Sequence, residues 1–465
     1  MVITPIGWLL IPLGLFLLLV RPNWLYVLCV FFAPFSATSL LNSGSGDAGS
    51  GLQPSLFMGS LLLLRKVIDI ILSTKIHIAR SIRTPVILMF VFVGVCAISL
   101  IMPFVIDGKL QVMSKATIGV PLEPLRFKSS NVTNTVAVLY GVCFATFIAQ
   151  WNLDPKCFFK TLRVYIASGV FICIWGMMQF VLYLFHVPYP VSIFNNAASP
   201  YAVNDTAYLD TINIPRVSSV ALEPSILATV LVAMLPILVI AIFGGKRIFG
   251  KYADRAALFL LCVTLLVTTS ATGFVSVAGL LVFLGYTLYK YKRLSFIPIA
   301  TLLIVALLLV FAYVAVPGMN GAAQEVLFNK ANSWSALVRS TVIMTNLQYF
   351  TQYPLLGLGW GSAPAHDLTM GILANCGLLG LASFLLFIGY TMNKLRNNVI
   401  ESFNSCQPFN HSHILLISLL ITCLAYMITG LPGGPSFWLL VGLAVSAGGQ
   451  TRVSSKNRAG IESDT

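Results

Sequence analysis

The chain has 465 residues, 58% of them hydrophobic and 9% charged, with a mean hydropathy of +0.90. Soluble domains are nearer a quarter charged, so this composition excludes an ordinary soluble protein. The formal net charge of +14 does not point to nucleic acid, because the Lys and Arg residues sit in short clusters between apolar runs, as the positive-inside rule expects of a membrane protein.

The apolar runs are continuous and about 17 to 25 residues long, which is what a helix needs to cross roughly 30 Å of hydrocarbon. Barrel strands would instead alternate apolar and polar residues over about ten positions. In lipid every backbone group needs an internal partner. The expected fold is therefore all-α: a polytopic transmembrane helical bundle making a single integral membrane domain over 1–465. In chain order the expected spans are 6–20, 24–41, 55–73, 85–106, 132–151, 162–186, 223–243, 256–270, 272–289, 295–316, 367–391, 412–430 and 435–448. That is about thirteen, within a range of twelve to fourteen, with boundaries good to a few residues. No basic n-region or small-residue cleavage pattern precedes the first run, so that run is expected to stay in the protein.

Basic clusters recur in every second loop: Lys75/Arg80/Arg83, Lys156/Lys160/Arg163, Lys246/Arg247/Lys251/Arg255, Lys290/Lys292/Arg293, Lys394/Arg396 and the tail with Arg452/Lys456/Arg458. These are expected on the cytoplasmic side together with a tail over 449–465, and the intervening loops outside. Two outer loops are long, 187–222 and 317–366, and a third at 107–131 is intermediate. Loops beyond about 15 residues in a compact fold are functional or disordered. These hold aromatics and prolines and are expected to be ordered, whereas the stretch NSGSGDAGSG at 42–51 reads as flexible. Within the second long loop, Trp334, Leu337, Val338, Thr341, Val342 and Thr345 fall at helical spacing behind an N-cap at Asn332 or Ser333. That helix should end before Pro354 and Gly357.

The nine cysteines show neither a disulfide framework nor metal-ligand spacing. Most lie inside apolar runs, and Cys157 and Cys406 fall in short basic loops. Asn131-Val-Thr133, Asn204-Asp-Thr206 and Asn410-His-Ser412 match the glycosylation triplet, which is common by chance. There is no glycine-rich nucleotide loop, no Walker lysine and no carboxylate pair at metal spacing, so a reaction without a metal or cofactor is expected.

Ionisable residues on the outer side are few: His186, Asp205, Asp210, Arg216 and Glu223 in the first long loop, and Glu325, Lys330, Arg339, His366 and Asp367 in the second. A charge near the membrane is costly enough to be paired or functional. Two arginines suit a phosphate ligand, because the guanidinium fork matches phosphate bidentately. The alternative is interfacial arginines that snorkel, with Arg216 paired to Glu223 or Asp210. His366 opens a helix, where anions are favoured, and a histidine of ordinary pKa near 6.5 is a competent general base. The alternative is a capping histidine. His186 ends a span away from any turn cluster and reads as structural, while His411 and His413 fall on the cytoplasmic side. Glu223 precedes Pro224 and reads as an N-terminal carboxylate that complements the helix dipole, able also to orient Arg216.

One group of motifs has a recognisable order. Arg339 opens an amphipathic stretch, Pro354-Leu355-Leu356-Gly357-Leu358-Gly359-Trp360-Gly361 follows, then His366, then Gly377-Leu378-Leu379-Gly380-Leu381. Upstream, Arg216 begins an R-x-S-x-x-x-x-E-P-S wording. This order resembles the O-antigen ligase and polymerase superfamily of bacterial polysaccharide assembly. Motif-level similarity covers 216–225 and 339–381, and the first two hundred residues carry no motif. The resemblance implies a GT-C-like helical fold in the bacterial inner membrane. It also implies an undecaprenyl-pyrophosphate-linked glycan as donor at the periplasmic face, and a metal-independent inverting glycosyl transfer. Arg216 and Arg339 would hold the donor pyrophosphate, His366 would activate the acceptor hydroxyl, and Glu223, Trp360 and Asp367 would lie at the substrate. Partner proteins in such systems are chain-length regulators and flippases. The superfamily often has Asn after this histidine. Here it is Asp367, which could raise the basicity of His366 or cap the helix. The Glu-Pro-Ser wording is closer to a polymerase than to a ligase that transfers the glycan to lipid A-core. A transporter or flippase for the lipid-linked glycan would need the same arginines, but the sequence shows neither inverted repeats nor matched broken helices.

Overall fold

A computed structural model of the chain describes residues 1–43, 50–73, 78–113, 121–198, 216–245, 247–290, 334–404 and 410–462. The helices among them are α1 Pro5–Val20, α2 Pro22–Phe31, α3 Pro54–Ser73, α4 Arg83–Ser99, α5 Met102–Ile106, α6 Ser129–Trp151, α7 Pro155–Leu184, α8 Val191–Phe194, α9 Pro224–Phe243, α10 Lys251–Val267, α11 Ala271–Lys290, α12 Trp334–Gln352, α13 Leu368–Asn404, α14 His411–Thr429 and α15 Pro435–Glu462. Several open on proline, whose missing N–H and fixed φ suit the first helical turn. Thr4, Asp154 and Asn410 cap α1, α7 and α14, their side chains accepting from Gly7, Lys156 and His413 N–H at 3.1, 3.0 and 2.9 Å.

The molecule is an all-α polytopic bundle, as its composition requires. Among the described residues, six helices are long and apolar enough to cross a membrane: 83–106, 129–151, 155–184, 224–243, 368–403 and 411–429. Three shorter apolar ones lie at 5–20, 22–31 and 271–286. This is fewer than the thirteen runs in the sequence, for identifiable reasons. The run at 24–41 becomes the ten-residue α2, about 15 Å long, followed by an irregular buried segment in which Phe35, Thr38, Ser39 and Leu40 are fully enclosed. α3 carries Arg65, Lys66 and Asp69 within its twenty residues. The run at 295–316 lies outside the described residues. α15 continues through 449 to Glu462, where a separate tail was expected.

α9 is apolar on every side and buried almost throughout, the signature of a central helix. Its most extensive partner is α14. The bundle has two chemically distinct ends. At one, the Lys394 ammonium donates to the Ser81 carbonyl, Asn398 donates to the Ala447 carbonyl at 3.3 Å, and Gln450 donates to the Asn152 carbonyl at 2.8 Å. These segments neighbour the basic clusters. At the other end lie two small antiparallel ribbons. β1 Val2–Ile3, β2 Leu41–Ser43 and β3 Ser50–Leu52 pair with Val2 opposite Asn42 and Leu41 opposite Leu52. β4 Gln111–Val112 pairs with β5 Glu123–Pro124. The ends of the glycine-serine stretch at 42–51 are thus held in a sheet.

His186 has the structural role its position suggested. It sits at φ 54 just past α7, its N–H bonded to Tyr183 O at 3.2 Å and the Val187 N–H to Leu182 O at 2.9 Å, a Schellman ending. Asn131 of the first glycosylation triplet is buried and donates to the Trp360 carbonyl at 2.8 Å and Ser362 Oγ at 2.9 Å. That triplet is a structural element.

Candidate functional site

The amphipathic helix expected in the second long loop is α12, and it stops before Pro354 as predicted. Its N-cap candidates Asn332 and Ser333 lie outside the described residues, as do Asp205, Asp210, Glu325 and Lys330. Beyond it, Gly357, Gly359 and Gly361 have φ of 62, 99 and 80°, values at which a side chain is strained and glycine is not. The turn they form is wedged into a break in α13, where Gly377 adopts φ 64, ψ −161. Breaking a helix strands carbonyls above the break and N–H groups below it. Here the turn satisfies both sets. Leu358 and Gly359 N–H donate to the carbonyls of Ala374 and Asn375 at 2.8 and 3.0 Å, while Leu378 and Leu379 N–H donate to Pro354 and Leu355 at 2.8 and 3.3 Å. A Cβ on Gly357 would stand 2.5 Å from Ala374 O, and one on Gly377 2.4 Å from Leu355 O. The fully buried Asn375 closes the turn. Its Oδ1 accepts from Ser362 and Ala363 N–H at 3.0 Å each, and its Nδ2 donates to the Ala363 and Gly371 carbonyls at 3.0 and 2.8 Å.

This knot fixes the segment that ends at His366. Asn346 of α12 donates to the Pro364 carbonyl at 2.9 Å. Asp367 then caps α13, its Oδ1 accepting from Met370 N–H at 2.6 Å. Its Oδ2 is buried without a hydrogen-bond partner. Burial pushes the Asp367 carboxyl up from its ordinary range, against the N–H bonds of Met370 and Thr369 and the charge of the adjacent His366. His366 is half-buried and stands against the end of α14: a Cβ on Gly430 would lie 3.8 Å from its Cα.

Arg339 meets the same place from α12. Its Nη1 donates to the Ile428 carbonyl at 3.2 Å, in the last turn of α14, where carbonyls lack helical partners and the dipole favours a cation. Burial pushes this guanidinium down from its ordinary value, and the charge of Glu223 acts in the opposite direction. Glu223 is the N-cap residue of α9, and its Oε2 accepts from Ser225 Oγ at 2.9 Å. The dipole-facing position expected of Glu223 is correct. Its charge acts on Arg339.

Arg216 donates from Nε to Thr269 Oγ1 at 3.2 Å, in the turn between α10 and α11. The loop behind it is anchored on all sides. Ser218 and Ser219 N–H donate to Gln179 Oε1 at 3.2 and 2.7 Å, Ala37 N–H donates to Val220 O at 2.9 Å, and Leu222 N–H donates to Ser36 Oγ at 3.3 Å. Gln179, a fully buried amide in the last third of a long apolar helix, is the one polar residue of that run whose sequence position marks this anchor. The motif-free early chain therefore builds the frame of the Arg216 loop.

Glu223, Arg339, His366 and Asp367 thus lie on segments gathered around the adjoining ends of α9 and α14, while Arg216 is held at the α10–α11 turn. Trp360 is the exception. Its ring is enclosed in the core against Phe92, centroids 5.9 Å apart, and the main-chain N–H of Trp360 donates to Ser99 Oγ at 3.0 Å. Expected at the substrate, it instead packs the glycine turn onto α4, because the positive φ on both sides of it turns the side chain inward. No protein-family model and no curated protein matches the chain.

Proposed function

We propose that this protein is a membrane glycosyltransferase with a GT-C-like fold that polymerises undecaprenyl-pyrophosphate-linked polysaccharide repeat units. The site would face the bacterial periplasm, with the basic end and the C-terminus in the cytoplasm. The observation that carries the reading is that Arg339 and His366 meet at one helix end, that of α14 (Ile428 and Gly430), with the charge of Glu223 acting on Arg339. Two cationic forks and an imidazole on one side of a membrane are what transfer from a lipid diphosphate needs. His366 takes the proton from an acceptor hydroxyl. The hydroxyl oxygen attacks the anomeric carbon from the face opposite the diphosphate. The anomeric C–O bond breaks, its electron pair leaves with the lipid diphosphate, and the configuration inverts. Arg216 and Arg339 meet the charge growing on the departing group, a contribution that is large in a poorly hydrated site. Asp367 supports the imidazolium formed in that step.

The break in α13 gives a transporter some weight, since discontinuous helices build many transport sites. Its carbonyls, however, are already bonded to Leu358 and Gly359 N–H, which leaves the break filled and favours a fixed catalytic wall. Purified protein reconstituted with lipid-linked repeat units distinguishes the two. An enzyme releases undecaprenyl pyrophosphate, and a transporter does not. In cells, loss of a polymerase leaves acceptors with a single repeat, whereas loss of a ligase strands long chains on the carrier.

A further inference from the structure

Thr269 has a backbone that a β-branched residue rarely adopts. It lies between α10 and α11 at φ 47, in the left-handed region, where its branched side chain crowds the main chain. Strain of this kind persists only where the surroundings enforce it, and it gathers at functional sites. Thr269 is also buried, 4% exposed. Its N–H bonds Leu266 O at 3.0 Å, and its hydroxyl donates to the Thr268 carbonyl at 2.9 Å. With the proton directed there, the oxygen lone pairs are left to accept, and they accept from Arg216 Nε at 3.2 Å. The neighbouring Val217 N–H bonds the Val267 carbonyl at 3.3 Å, so the main chain and the side chain at Arg216 are tied to the same turn.

We propose that Thr269 is a positioning residue for Arg216: the left-handed turn aims its hydroxyl at Nε, which fixes the plane of the guanidinium that meets a diphosphate. This rests on the reading of Arg216 as a diphosphate ligand. A guanidinium recognises phosphate through a planar fork, and a hydrogen bond to Nε removes the rotation that would otherwise blur it. The turn enforces a conformation in which serine would serve chemically and glycine would be most relaxed. A hydroxyl at this position, despite the backbone's preference for glycine, is the mark of a positional role.

The test measures binding of geranyl diphosphate, a soluble prenyl diphosphate, to the purified full-length protein, with thermal unfolding followed in parallel. Thr269→Val removes the acceptor and keeps the shape. Thr269→Gly removes it and relieves the backbone. Thr269→Ser keeps the oxygen. The expected result is that Val and Gly both weaken binding by roughly tenfold or more, the scale of a hydrogen bond to a charged group, although Gly unfolds no earlier than wild type. Ser stays within about twofold. Arg216→Ala abolishes the Thr269 effect, so that the double variant binds like Arg216→Ala alone, as coupled residues do. If Thr269→Gly binds like wild type, or the two effects add, the positioning role is overturned while Arg216 stands as a ligand. If wild type does not bind the probe, or Arg216→Ala binds it unchanged, the diphosphate reading of Arg216 falls, and this inference falls with it.

Discussion

The guanidinium of Arg339 donates to the main-chain carbonyl of Ile428 across 3.2 Å. The bond joins the amphipathic α12 to the end of α14, which is long and apolar enough to cross a membrane. It places a fixed cation where the α14 dipole is negative and where the charge of Glu223 also acts. An arginine held from one side by a carbonyl and balanced by a carboxylate is restrained before any ligand arrives, which lowers the ordering cost of binding.

Arg339→Ala should therefore abolish transfer, by about a hundredfold or more, while costing only about 1 kcal/mol of stability through the carbonyl left without its donor. Arg339→Lys keeps the charge but not the fork and should recover a small part of the activity. Transfer assays with reconstituted protein, paired with thermal unfolding, separate these effects. Equal loss of both folding and transfer in Arg339→Ala would contradict the functional role.

His366 as general base is active when neutral. The Asp367 carboxylate and the His366 imidazolium attract each other, so replacing the carboxylate removes a charge that favours the protonated ring. Asp367→Asn should move the acid limb of the kcat/KM profile to lower pH, and His366→Ala should remove transfer near neutrality. A profile with no acid limb, or one that moves to higher pH, would count against the base.

The same carboxyl has a stability consequence. Its folded pKa is raised by burial, so the protonated form is the one folding favours. Its contribution is full below the unfolded value of about 3.8 and is lost as pH rises through the folded value. Asn keeps the cap without the buried charge. The melting temperature of Asp367→Asn relative to wild type should therefore rise with pH across that window and then level off.

Gly377→Ala and Gly357→Ala should each destabilise strongly, by several kcal/mol, since each combines a positive φ with backbone atoms closer than 3 Å in a packed interior. Ala at Gly433 or Gly434 meets nothing within 4 Å and should be tolerated. Yield and unfolding temperature of the four variants provide the check.

Asn375→Leu should cost about 3 kcal/mol or more, because it strands the Ser362 and Ala363 N–H groups inside the protein. It should also loosen the path to His366. Unfolding measurements and a fall in transfer beyond the folded fraction would show both effects.

What the sequence determined by itself is what local patterning can carry. Apolar runs and prolines set the helices, because backbone groups in lipid must bond within their own segment. The 3.6-residue period marked α12, and Pro354 marked its end. The glycines at 357, 359 and 361 announced a turn, since only such φ values explain them. Tertiary structure decided which of these distant features meet. Glu223 stands seven residues from Arg216 and reads as the carboxylate that opens α9, able also to orient Arg216. Its charge acts on Arg339, more than a hundred residues away, because α9 and α14 pack with their ends adjoining. Trp360 sat within the motif and was read with the substrate, yet the turn points it at Phe92. The hydroxyl that accepts from Arg216 belongs to Thr269, which no pattern marked. Charge pairing and side-chain direction depend on packing between segments that have no fixed spacing in sequence, so the participants were legible one by one, whereas their grouping came from the assembled bundle.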